Sequence, residues 1–246
     1  MTVQVLFFGM LKDLLGRSSD TLDVADGATM GTVFEHYASQ YPRLNEMADS
    51  IALARNHEFA GPDQALSDGD EIALMPPVSG GAPQAASPWI AEASGDGAFC
   101  ALTREPIDSP ALARRIVQGS DGAVITFEGI VRDNSKGRTT KYLDYECYAP
   151  LALNTMRQLA RDIRAGYDIH GIALVHRLGR LEIGEASVSI VVASAHRQAA
   201  YDASLAAINR LKKIVPVWKK EYFEDGEVWV EGDWEDSVPR PAGALR

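Results

Sequence analysis

Cysteine is scarce in this chain of 246 residues: Cys100 and Cys147 are its only two, and no CxxC spacing joins them. That excludes a disulfide framework or a cysteine-built zinc site, and it suits two free thiols in a reducing compartment. Long apolar runs are missing too. Nothing approaches the roughly 18 consecutive apolar residues of a membrane helix. The opening MTVQVLFFGMLKDLLG has neither the basic stretch nor the small-residue cleavage site of a signal peptide. The expected location is cytoplasmic, with no membrane partner. There is no phosphate-cradling glycine loop and no metal-spaced cluster of His, Cys, Asp and Glu, so no metal or other cofactor is expected.

Positive charge is in deficit, and unevenly so. The chain has 24 Lys and Arg against 34 Asp and Glu, a net of −10. Residues 1–81 hold 4 basic and 12 acidic side chains, a net of −8, which leaves 20 and 22, a net of −2, for the rest. The first segment repels nucleic acid and suits a basic protein partner. The second is nearly neutral, with its cations gathered in a few places.

Between them lies ALMPPVSGGAPQAASPWI, residues 73–90. Pro76-Pro77 cannot continue a strand interior or a helix, and APQAASP has no apolar period with which to order itself. The expected organisation is a domain over 1–81, a linker over 82–97, a second domain over 98–236 and a tail over 237–246. Both domains read as α+β.

In the first, VQVLFF, DTLDVADG, IALARN and EIALMP are β-rich. TMGTVFEHYASQYP reads as a helix capped by Thr29, with Val33, Tyr37 and Tyr41 on one face and a stop at Pro42. In the second, Ser109 with Pro110 behind it predicts a helix start, and Gly119 a stop. GAVITFEGIVR reads as a strand and DNSKGRTT as a mobile loop. Leu153, Met156, Leu159 and Ile163 mark one helix; Tyr201, Leu205, Ile208, Leu211 and Val215 mark one face of another, ended by Pro216. A hairpin is expected at Asp225-Gly226, with helices on a largely antiparallel sheet.

Basic side chains sit at the ends of these elements. Arg132 closes FEGIVR. His196-Arg197 opens a helix, where cations oppose the dipole unless an anion answers them, and free amides complete an anion site. Lys212 and Lys213 end that helix, a placement that complements the dipole without further purpose. Lys219 and Lys220 follow in a strand whose alternation separates Val217, Lys219 and Glu221 from Trp218, Lys220 and Tyr222.

The first domain, opening VLFFGMLKDLLG and closing LSDGDEIALMPPVSGG, resembles the small sulfur-carrying subunit of molybdopterin synthase, the MoaD family. The resemblance implies a ubiquitin-like β-grasp fold and a tail whose Gly80-Gly81 carries a terminal thiocarboxylate, made by an E1-like adenylating enzyme. Two glycines suit a tail that must enter a narrow channel. In the second domain FEGIVR, VHRLGRLEIGE, SAHR and LKKIVPVWKKE, in that order, resemble the large catalytic subunit, the MoaE family. This implies a substrate pocket lined by Arg132, His196, Arg197, Lys212, Lys219, Lys220 and Glu221, with Lys212 and Lys219 nearest the chemistry. Many members carry Lys where this chain has Ile130. The implied substrate is cyclic pyranopterin monophosphate (precursor Z), converted to molybdopterin by transfer of two sulfurs to form its dithiolene, and the implied assembly is a homodimer through the catalytic domain.

A fusion of carrier and synthase raises a chemical difficulty, because Gly81 here acylates the nitrogen of Ala82 and has no free carboxylate. Either a protease cuts after Gly81 or a separate carrier serves the second domain. A different class of reading also stands: a non-catalytic ubiquitin-like tag fused to an anion-binding module. Lys212 and Lys219 beside His196-Arg197 favour the enzyme, since a mere binder has no need of them.

Overall fold

A computed structural model describes residues 1–76, 89–135 and 137–230, in two compact units whose described parts are 1–76 and 89–230. Gly80, Gly81 and the tail over 237–246 lie outside the described residues, as do residues 82–88 of the expected linker.

The first unit contains β1 (Thr2–Phe7), α1 (Met10–Leu15), β2 (Ser19–Asp23), α2 (Met30–Gln40), α3 (Pro42–Glu46), a 3-10 turn (Ala48–Ser50), β3 (Ala52–Arg55), β4 (Glu58–Phe59) and β5 (Glu71–Met75). Its sheet runs β2-β1-β5-β3-β4, with β1 and β5 parallel at the centre and the other pairs antiparallel. This is the ubiquitin-like β-grasp arrangement. Thr29 caps α2 as expected, in a reciprocal box with Thr32. Val33 and Tyr37 are buried against Val3, Val5, Phe7, Ile72 and Leu74. Pro42 ends α2 but opens α3, where its fixed φ suits a first helical turn. The SDGD turn before β5 is held by the buried Asp70. Its carboxylate accepts from Arg55 Nε at 2.7 Å, Asn56 Nδ2 at 2.7 Å and the Ser67 amide at 2.6 Å.

The second unit comprises β6 (Trp89–Gly95), β7 (Ala98–Thr103), α4 (Ser109–Ile116), β8 (Ala123–Ile130), β9 (Asn134–Ser135), β10 (Arg138–Cys147), α5 (Ala149–Gly166), β11 (Gly171–Arg177), β12 (Gly179–Glu182), β13 (Ala186–Ser194), α6 (Arg197–Ile214), β14 (Val217–Phe223) and β15 (Gly226–Val230). One sheet runs β6-β7-β11-β13-β8 and the other β12-β10-β14-β15. Only β7 and β11 pair in parallel among these, so the sheets are largely antiparallel. Leu112 and Ile116 of α4 pack on Phe99, Ala101, Ala173, Val175, Val191 and Ala193. Alternate residues of the strands turn to the other face, which α5 and α6 cover while packing on each other.

Several expectations need correction. The linker expected over 82–97 contains β6, which pairs with β7 and stacks Trp89 edge-on against Phe99 at 5.3 Å. A single large aromatic supplies the burial that the small residues before it cannot. Asp108, not Ser109, caps α4, accepting from the Ala111 amide at 2.8 Å. Ser109 is the first helical residue, its hydroxyl given to Glu128 and close to that of Ser189. In DNSKGRTT, expected as a loop, Asn134-Ser135 pair with Arg138-Thr139 across a turn at Gly137. The buried face of α6 is the expected one only toward its end, where Ile208, Leu211 and Val215 are buried. Ala200, Ala203, Ala207, Ile208, Leu211 and Ile214 are buried, while Tyr201 and Leu205 are 59 % and 62 % exposed. Small alanines let the helix sit close to the sheet, and the bulkier pair is turned outward. Cys100 and Cys147 are unpaired thiols.

Candidate functional site

Antiparallel pairing of β8 with β13 fixes where the sequence-predicted cations lie. Ala123 pairs with Ser194 at one end and Ile130 with Ala186 at the other. Arg132 follows the second end; His196 follows the first. The 8-residue β8 alone spans about 26 Å at roughly 3.3 Å per residue. The 18-residue α6 then returns along β13 and β8, covering about 27 Å at roughly 1.5 Å per residue. Its last turn therefore brings Lys212 back to the end where Arg132 sits. Within one chain, Arg132 and Lys212 belong to one end and His196-Arg197 to the opposite one. The framework separates these two groups of side chains within a single copy.

At the Arg132 end the framework is tight. Val131 is bound on both sides by the turn before β13, its amide giving to Glu185 O and its carbonyl accepting from the Gly184 amide, both at 2.9 Å. Its side chain is buried with Leu143 and Leu181. Glu185 is fixed in turn by Arg177 Nη1 at 2.9 Å. Burial opposes its charge, but the Glu182 amide and Arg177 prevail and hold the carboxyl below its ordinary range. The glycine of FEGIVR has a steric reason. A Cβ at Gly129 would stand 2.7 Å from Val188 Cγ1. Arg132 itself is exposed.

Lys219 reaches the same end through β10. Lys219 pairs with Tyr145 and Glu221 with Leu143, the residue packed on Val131. Lys219 Nζ lies 2.7 Å from Glu221 Oε1, with the lysine a quarter exposed and the glutamate buried. Behind them is a polar layer that sequence reading missed. Tyr145 hydrogen-bonds Ser187 and meets the His176 ring edge-on at 5.2 Å. Ser187 gives its hydroxyl to Gly129 O at 3.0 Å, and His176 Nδ1 lies 2.9 Å from Arg177 O. Burial pushes the His176 imidazole down to about 4, against the pull of that carbonyl, so the ring is neutral at pH 7. Burial also raises the Tyr145 phenol, and the charge of Glu221 adds to it. VHR and LDYECY were the visible signals, but neither shows which partner its polar residue meets.

Lys220 is not with Lys219. It points to the other face of β14, 2.5 Å from Glu227 Oε1 and over the rings of Tyr222 and Trp229. Glu221 faces its own lysine. His196 is the exposed N-cap of α6 and makes no side-chain capping bond; its amide and carbonyl are both held by the Ser194 hydroxyl. No acidic residue stands in that first turn, so the Arg197 guanidinium and the free amides meet no carboxylate there, beside the His196 ring. Lys212 is exposed at the far end of the helix. Ile130 is 47 % exposed. Chemically, one end offers an arginine, a lysine that makes no ion pair among the described residues and a lysine steadied by a carboxylate; the other offers a helix start with an imidazole, a guanidinium and free amides.

Known proteins resemble both units. Residues 102–214 match the family model described as MoaE protein, and residues 5–81 match that of the ThiS family. The molybdopterin synthase catalytic subunit of Bacillus subtilis is 42 % identical over 142 residues, covering 58 % of this chain and 90 % of that protein. Its counterpart from Halalkalibacterium halodurans is 42 % identical over 144 residues, covering 58 % and 92 %. The crystal structure of molybdopterin synthase from Staphylococcus aureus superposes with a TM-score of 0.52 at 40 % identity, covering 53 % of this chain and 96 % of that one. With a ThiS-type β-grasp unit ahead of it, the second unit places this chain in the molybdopterin synthase catalytic subunit family, an enzyme family, and the chain belongs to it.

Proposed function

We propose that this chain acts in molybdenum cofactor biosynthesis as a molybdopterin synthase, transferring sulfur from a glycine thiocarboxylate to cyclic pyranopterin monophosphate. The observation that carries the reading is the convergence of Arg132, Lys212 and the Lys219–Glu221 pair on one end of the β8–β13 framework. The cyclic phosphate is an anion suited to guanidinium donors. Lys212 makes no ion pair among the described residues, which leaves it able to hold or move a proton at the reacting carbon. Glu221 holds Lys219 in one position, as a substrate-orienting cation needs.

The remaining cations sit at the wrong end of the same chain, and a second copy supplies them. In a two-fold dimer the start of one α6 meets the end of the other, so His196 and Arg197 of each copy complete the site of its partner. The donor is the thiocarboxylate of a Gly81 terminus. Each transfer forms a carbon–sulfur bond on the pterin side chain as a carbon–oxygen bond there breaks, and water cleaves the acyl–sulfur bond to return the glycine to a carboxylate, so two carriers are used per dithiolene. A Gly81 still bonded to Ala82 cannot be adenylated, so the donor is either a cleaved first domain or a separate carrier.

The test is conversion of precursor Z by the full chain when a thiocarboxylated polypeptide of residues 1–81 is added, with intact mass confirming that the chain stays uncut. Molybdopterin formed only with the added carrier supports the reading. Absence of product with it, from a dimeric and folded chain, contradicts it.

A further inference from the structure

One face of α5 carries three arginines that no carboxylate answers among the described residues. Arg157, Arg161 and Arg164 recur at the spacing that stacks helical side chains in one stripe. They wall a cavity of about 90 Å3 against the β6–β7 hairpin, where Ala93, Ala98 and Cys100 are small enough to leave the space open. Like charges at this spacing repel one another, yet none of the three has an ion-pair partner among the described residues. Arg164 Nε is buried with no hydrogen-bond partner among the described residues, a costly state for a charged donor. Asp96 at the hairpin tip lines the same cavity but pairs with none of them.

The hairpin is shaped around this arrangement. Gly97 has φ 71°, and a Cβ there would stand 2.5 Å from His170 O and 3.1 Å from Arg164 Nη2. A side chain at 97 would be blocked by the His170 carbonyl and would crowd the Arg164 guanidinium. A space of this size accepts a small tetrahedral oxyanion. Guanidinium forks match the oxygens of such a group in pairs. None of these residues belongs to the site built around Arg132, Lys212 and Lys219, and the pocket stands on other elements.

We propose that the Arg157–Arg161–Arg164 pocket is a second anion site, which binds a single phosphoryl group, as free phosphate or as the head of a phosphate monoester. The full chain, labelled with 15N, is titrated with inorganic phosphate in one arm and glycerol 3-phosphate in the other, against chloride at matched ionic strength. The amides of Ser94, Asp96 and Ala98 should shift and saturate with phosphate or the monoester and stay still with chloride; the tighter arm names the source. Arg161 is exposed, so Arg161→Gln leaves the fold intact and should weaken binding by about ten-fold or more, the loss of one charge-assisted contact. Arg161→Lys should recover part of it, and Lys212→Ala should leave the hairpin shifts as they are. Failure of the hairpin amides to saturate in both arms overturns the proposal. So does unchanged affinity in Arg161→Gln, or disappearance of the shifts in Lys212→Ala, which would assign the response to the other site.

Discussion

Lys219 and Glu221 stand two residues apart on one strand face, Nζ to Oε1 at 2.7 Å, and the glutamate is only 5 % exposed while the lysine keeps a quarter of its surface in solvent. The buried member fixes the exposed one, which is what a cation that must orient a substrate requires. Glu221→Gln removes the charge but keeps the shape. It should lower kcat/KM for precursor Z more than ten-fold at a stability cost of about 1–3 kcal/mol, with partial recovery in Glu221→Asp. Steady-state kinetics beside thermal unfolding separate the two effects, and an unchanged kcat/KM would show that Lys219 needs no such support.

Lys212 and Arg197 should fail differently. Lys212 is exposed in the last turn of α6 and contributes little to the fold, so Lys212→Ala should abolish turnover and leave the unfolding temperature within a degree or two. Arg197→Ala should raise KM by about ten- to a hundred-fold, the loss of one charge-assisted contact worth about 1.5–3 kcal/mol. Turnover by Lys212→Ala equal to the parent, with excess thiocarboxylated carrier, contradicts its role.

His176 gives the second unit a signature in acid. Its folded pKa of about 4 lies below the ordinary value near 6.5. As pH falls through 6.5 the unfolded chain takes up a proton that the native ring refuses, so stability drops between about 6.5 and 4 and levels below that. The loss is on the order of 3 kcal/mol. Urea titrations of the parent and His176→Phe across this range should diverge, the variant lacking that part of the slope. Parallel curves would mean that the ring titrates normally.

In the first unit Asp70 is the corresponding point. It ties Arg55, Asn56 and the Ser67 amide to one buried carboxylate, and removing it strands a partly buried guanidinium. Asp70→Ala should destabilise this unit by about 2–4 kcal/mol, read as an earlier unfolding transition while precursor Z conversion with an added carrier persists.

Much of this was legible in the residues. Apolar period gave both helices of the second unit's core, and a cap gave the Thr29 start, because those signals are local. What failed was decided by packing. Trp89 turned an apparent linker into an edge strand, and alanines rather than Tyr201 and Leu205 set the buried face of α6, since close approach to a sheet rewards small side chains. The site was legible as a set of residues but not as a place. Nothing local reveals that β8 and β13 run antiparallel, and that pairing sends Arg132 and His196 to opposite ends. The layer of Tyr145, His176 and Ser187 depends on contacts across two sheets, which no spacing in the sequence encodes.

The central claim is a sulfur-transfer site completed across two copies. Its most direct measurement uses a heterodimer, purified through two tags, of one Lys212→Ala chain and one chain carrying both His196→Ala and Arg197→Ala. Each parent homodimer should be inactive at substrate well below KM. In the heterodimer one site loses both sets of residues and the other keeps both, so about half of the unmodified dimer's activity should return. A heterodimer as inactive as its parents would contradict the shared site.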